Sequence, residues 1–117
     1  MHTVLWTAEF IAGARKCRLS NDELANIVTA VAANPQSGDR IPGAGGARKL
    51  RHAGRGKGKS GGYRTIHYYA ADDVPVFLLS IYDKGHTANL TKAECNLLSK
   101  VLPKMVEAHR RHDIVQC

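Results

Sequence analysis

No stretch of the chain approaches the roughly 20 consecutive apolar residues that a membrane-spanning helix needs. The opening residues, Met1 to Glu9, lack the cationic start and apolar run of a secretory leader, so no signal peptide is read there. Cysteine is scarce: Cys17, Cys95 and Cys117 are scattered and odd in number, which excludes a disulfide framework and a cysteine-based zinc site. A reducing cytoplasm is the expected setting. Acidic residues are also few, 10 against 17 Lys and Arg, and between Gly45 and Tyr69 there are none at all.

What is present follows from that imbalance. The 117 residues suffice for one domain, expected to span 1–117, with a modest core. A net charge of +7 implies an acidic partner, nucleic acid or protein. The charge is concentrated: Arg48, Lys49, Arg51, Arg55, Lys57, Lys59 and Arg64 all fall in the acid-free stretch, whose field draws in a phosphate backbone. The plainer reading of such a run is a solvated basic loop.

In chain order, Thr3 to Trp6 fits a short strand, and Thr7 can cap a helix carrying Phe10, Ala14 and Cys17. Ser20 with Glu23 forms a capping box ahead of an apolar face of Leu24, Ile27, Val28 and Val31, and Asn34-Pro35 stops that helix. After a loop from Gln36 to Gly46, Ala47 to Ala53 reads as a strand with cations on both faces, so it is not central. Gly54 to Gly62 holds five glycines in nine residues, a connection that turns the chain back. Tyr63 to Ala70 and Pro75 to Tyr82 then read as a central hairpin.

Alternation along the second strand of that hairpin puts Phe77, Leu79 and Ile81 on one apolar face, suited to cover by helices. Leu78, Ser80, Tyr82 and Lys84 fall on the other, where Arg64 would meet Tyr82 and Lys84 in a cationic concave face. Thr91 and Glu94 open a last helix with Ala93, Leu97, Leu98, Val101 and Leu102 on its apolar side, and Pro103 is expected to kink or end it. The expected fold class is α+β in the order β-α-α-β-β-β-α, a small antiparallel sheet with helices packed on one face.

In order and spacing, four blocks from about Gly38 to Leu98 resemble the RelE/ParE-like toxins of bacterial toxin–antitoxin modules, specifically the HigB-type branch. They are Asp39-x-Ile41-x-Gly43-x-Gly45-Gly46-x-Arg48-Lys49-Leu50-Arg51, Gly54 to Gly62 with x-Arg64-x-Ile66-x-Tyr68-Tyr69, Leu78-Leu79-x-Ile81-Tyr82-x-Lys84, and Asn89-Leu90-Thr91. The resemblance implies a RelE-like fold and a ribosome-dependent endoribonuclease that cuts translated messenger RNA. The ribose 2′-hydroxyl attacks the adjacent phosphate, and cationic side chains supply proton transfers and charge stabilisation. It also implies a cognate antitoxin, of the helix-turn-helix HigA type, through which alone operator DNA is bound. No cofactor, metal ion or membrane is implied.

Carried over by motif, Arg64 matches the phosphate-stabilising arginine, for which a rigid guanidinium fork is better suited than an ammonium. Lys84 matches the cation near the leaving group. Lys57, with Arg55 and Lys59 as rivals, matches the lysine that acts as base or transition-state partner, and neighbouring cations favour its neutral form. Tyr82 is placed to stack on a base or donate a hydrogen bond, while Arg48, Lys49, Arg51, Arg55, Lys59 and His86 are expected to hold RNA. The branch commonly continues Asn-Glu after its Lys84 equivalent, whereas this chain has Gly85-His86, an imidazole that could act as the acid or simply lie in an exposed loop.

Three other readings are weaker on physical grounds. Ala53-x-x-x-x-Gly58-Lys59-Ser60 fits a loose phosphate-loop pattern, but Gly61-Gly62 and a strand follow it where a helix N-terminus is required. His109 and His112 share a helix face without a third ligand nearby. A ParE-like gyrase inhibitor of the same fold is expected to lack Lys57, Arg64 and Lys84 together, whereas a non-catalytic RNA- or ribosome-binding module is not excluded by charge and would bind ribosomes without cutting messages.

Overall fold

The structure is a computed structural model that describes residues 2–53, 62–83 and 90–116, with side chains to residue 111. Its elements are β1 (Val4–Trp6), α1 (Ala8–Lys16), α2 (Asn21–Ala33), β2 (Asp39–Arg40), β3 (Arg48–His52), β4 (Tyr63–Tyr68), β5 (Val76–Asp83) and α3 (Lys92–Gln116). The strands form one sheet in the order β1-β5-β4-β3-β2. The α+β class and the central β4–β5 hairpin are as expected. The sheet itself is mixed, because β1 runs parallel to β5, while the other pairings are antiparallel.

Local sequence accounts for the helix starts. Thr7 Oγ1 accepts from the Phe10 N–H at 3.2 Å. Ser20 and Glu23 exchange both bonds of a capping box, 3.1 and 3.0 Å, and Thr91 and Glu94 do the same at 3.1 and 2.9 Å. α3 continues through Pro103 to Gln116 and does not end at the proline. Leu102 and Val106, buried on either side of the proline, hold both halves of the helix to the sheet.

The helices lie on both faces of the sheet, not on one. Phe10, Ile27 and Val31 of α1 and α2 pack with Val76, Leu78 and Ile81, whereas Cys95, Leu102 and Val106 of α3 pack with Ile66, Phe77 and Leu79. A bulge in β5 also regroups the far end of that strand. Ile66 pairs with Ser80 while His67 pairs with Leu78, so one extra residue enters β5 and the alternation changes face beyond it. Ile81 therefore joins Val76 and Leu78, and Tyr82 joins Phe77 and Leu79, correcting the grouping read from simple alternation.

At the sheet centre His67 is fully buried, and its Nε2–H donates to the Pro35 carbonyl at 2.9 Å, tying the exit of α2 to β4. At the opposite end from Arg64, Arg110 of α3 grips Asp73 through two bonds of 2.7 and 2.8 Å. Among the described residues no helix is long and apolar enough to cross a membrane.

Candidate functional site: a cationic row across three strands

Arg51, Arg64 and Tyr82 occupy one continuous row, since Arg51 pairs with Arg64 and Arg64 with Tyr82 across β3, β4 and β5. Residues directly opposite on neighbouring strands carry their side chains on the same face about 5 Å apart. The strands thus set two guanidinium groups and a phenol side by side. Lys49 lies two residues from Arg51 on that same face, opposite Ile66. Asp39, Lys49, Leu50, Arg51 and Arg64 line an open hollow of about 270 Å³.

The bulge gives this row its position. Tyr82 shares a face with Phe77 and Leu79 under α3 and packs half-buried against that cluster together with Leu90. The cationic row is therefore the uncovered end of the face that α3 occupies, not the back of the sheet. Among the described residues no carboxylate forms an ion pair with Arg51, Lys49 or Arg64. Asp39 faces Lys49 across the β2–β3 pair and offsets part of this charge; the adjacent guanidinium groups of Arg51 and Arg64 still repel one another, and an anion entering the hollow relieves that repulsion.

Two contacts fix the strand ends beneath the row. The Tyr63 hydroxyl donates to Glu23 Oε2 at 3.1 Å, and burial with this bond holds the phenol above its usual pKa. Cys17, at the end of α1, lies beside Asp83, and its thiol is raised mainly by burial and next by the Asp83 charge. α1 and α2 thereby brace the start of β4 and the end of β5.

The remaining sequence candidates divide. Arg48 is opposite His67, its guanidinium donating to the Gly38 carbonyl at 3.2 Å, so it stands apart from the row. Arg55, Lys57, Lys59, Lys84 and His86 lie outside the described residues. Asp39, the first residue of the first motif block but not among the expected site residues, is a wall of the hollow. Gly38 has φ +86°, and a Cβ there would sit 2.4 Å from the Lys49 carbonyl oxygen, so only glycine lets β2 close against β3. Among the described residues no group of three His, Cys, Asp or Glu is placed to hold a metal ion.

A family model described as the RelE toxin of the RelE/RelB toxin–antitoxin system matches residues 2–116. The chain belongs to the RelE toxin family. As a RelE-family toxin it is one member of a toxin–antitoxin pair, and an antitoxin is its partner. Among solved structures it is similar to a free-state double mutant of the E. coli toxin RelE. The identity is 18% over 68% of this chain and 80% of that one, with a TM-score of 0.46. It is also similar to a conserved hypothetical protein of Helicobacter pylori, at 17% identity over 74% of this chain and 98% of that one, with a TM-score of 0.35.

Proposed function

We propose that this RelE-family toxin is a ribosome-dependent endoribonuclease of the HigB type that needs no metal ion of its own. The observation that carries the reading is the Arg51–Arg64–Tyr82 row, opening on a hollow whose one described carboxylate, Asp39, stands across from Lys49 and forms no ion pair with Arg51 or Arg64. RNA brings its own nucleophile. The enzyme has only to take the proton from a ribose 2′-oxygen, stabilise the extra negative charge on phosphorus, and return a proton to the departing 5′-oxygen. The new 2′-O–P bond forms as the P–O5′ bond breaks, leaving a cyclic phosphate and a free 5′-hydroxyl.

In this reading Arg64 holds the reacting phosphate with two parallel N–H donors, an arrangement lysine cannot provide. Tyr82, half-buried with its ring braced on the core, stacks on the base or donates to the phosphate. Lys49 and Arg51 track the flanking backbone. Lys57, with Arg55 and Lys59 as rivals, is assigned the base, Lys84 the leaving oxygen, and His86 a contact to RNA. The ribosome presents the messenger in its decoding site, and a HigA-type helix-turn-helix antitoxin silences the enzyme and carries the pair to operator DNA.

Primer extension on a translated message tests this directly. Arg64→Ala should lower single-turnover cleavage at least 100-fold, a barrier increase of about 3 kcal/mol by analogy with loss of a single oxyanion donor, without changing the circular dichroism spectrum. Arg64→Lys should recover only part of the rate. Full cleavage by the alanine variant would remove Arg64 from the chemistry, and absence of cleavage by the wild type on ribosomes would leave a binding module.

A further inference from the structure

The apolar side of α3 is wider than the sheet can cover. Leu97 and Val101, which the spacing of apolar residues placed on the helix's apolar side, are 61% and 36% exposed, while Cys95, Leu102 and Val106 fill the contact with the sheet. Four residues apart, Leu97 and Val101 stand on one face of the helix, and 3.6-residue periodicity brings exposed Lys100, Lys104, Ala108 and Arg111 onto the same outward side. The result is an apolar centre flanked by Lys100 and Lys104, with the exposed Glu107–Arg111 ion pair at its far end. From Leu97 to Arg111 it runs about 21 Å at 1.5 Å per residue. Leu98, next to Leu97, packs into the cluster that also holds Tyr82, so the stripe begins at the hollow's end of the helix.

We infer that this outward stripe of α3 is a docking surface for the antitoxin, and that it takes an acidic amphipathic helix of about four turns. The partner's aliphatic residues at i, i+3 or i+4 and i+7 would cover Leu97 and Val101, and its Asp and Glu would face Lys100 and Lys104, Arg111 being already paired with Glu107 at 3.7 Å. Charge selects this occupant. RNA has no use for a centre of leucine and valine with no aromatic ring to stack on. A second copy would bring Lys100 and Lys104 against identical lysines on chains that each carry +7, a repulsive arrangement. An acidic helix satisfies both the apolar and the cationic part. The inference rests on the family's pairing of toxin with antitoxin and is independent of whether this toxin cuts RNA.

The test is titration calorimetry of the full-length toxin with the purified antitoxin of its own operon. Leu97→Asp should weaken the Kd at least 100-fold, and Lys100→Glu with Lys104→Glu at least tenfold, with a larger loss at low salt. Leu97→Gln serves as the milder variant. Circular dichroism and cleavage of translated message should be unchanged in all of them, and Arg15→Glu, a charge reversal on α1, should bind as the wild type does. Antitoxin affinity within threefold of wild type in both the Leu97 and the double lysine variants would overturn the assignment. So would dissociation of a toxin dimer by Leu97→Asp, which identifies a second copy, or loss of ribosome binding with antitoxin affinity intact, which identifies RNA. Failure here with cleavage intact leaves the ribonuclease reading standing, and weakened antitoxin binding by a toxin that cuts no RNA leaves the docking surface standing.

Discussion

Single residues carry distinct burdens on the two faces of the sheet. On the face braced by α1 and α2, His52 Nε2 lies 2.9 Å from Thr65 Oγ1, and burial lowers the imidazole to about 4, with nearby His67 adding to the effect. His67 is lowered as well, chiefly by burial, and its Nδ1 has no partner. A proton on either ring is held less well in the folded chain than in the unfolded one. The stability this gives is complete above the unfolded value near 6.5 and is lost as pH falls from there toward about 4. Urea midpoints should therefore drop across that window, and His52→Gln should flatten the drop. An unchanged pH profile in the variant would separate His52 from the effect. Asp72 and Asp73, held below the usual carboxylate range by hydrogen bonds from Tyr69 and Arg110, lose their contribution only in stronger acid, so the windows are distinguishable.

At the scale of elements, the edge of β5 is shared. β1 covers it as far as Leu78, Thr7 donates to the Leu78 and Leu79 carbonyls at 3.1 and 3.0 Å, and α1 then takes over. A Cβ on Gly13 would lie 2.9 Å from the Ile81 carbonyl oxygen, a backbone atom of an inner strand that cannot move aside. Gly13→Ala should gain helix propensity yet lose overall, by about 1–3 kcal/mol, and should displace Tyr82 with the end of β5. A lowered melting temperature together with weaker cleavage is the expected result; a more stable protein would show that α1 is free to shift. The capping residues Thr7, Ser20 and Thr91 were readable from the sequence because their chemistry is local. The bulge was not, since Val76 to Ile81 is apolar at nearly every position and no glycine or proline marks where the alternation changes. That one extra residue is why Ile81 and Tyr82 trade faces. The exposure of Leu97 and Val101 was not readable for a related reason: spacing shows which residues share a helix side, not how much of that side a neighbour covers.

For the whole molecule, +7 of charge and helices on both sides of the sheet leave, among the described residues, a cationic row from Arg51 to Tyr82 beyond the cover of α3. Arg64 and Tyr82 could be paired from sequence because both strands were evident, but the two-residue β2 and its Asp39 depended on Gly38 and a contact across the loop. In the proposed reading the hollow meets a phosphate backbone and the outward side of α3 an acidic helix. The decisive measurement is single-turnover cleavage on ribosomes programmed with a message whose decoding-site nucleotide carries 2′-hydrogen in place of 2′-hydroxyl. Cleavage at that position should stop while toxin still binds the ribosome, and the all-ribose message should yield a cyclic phosphate and a 5′-hydroxyl. Continued cutting of the deoxy-substituted message at the same place would mean that another nucleophile does the work and that the cationic row serves some other end.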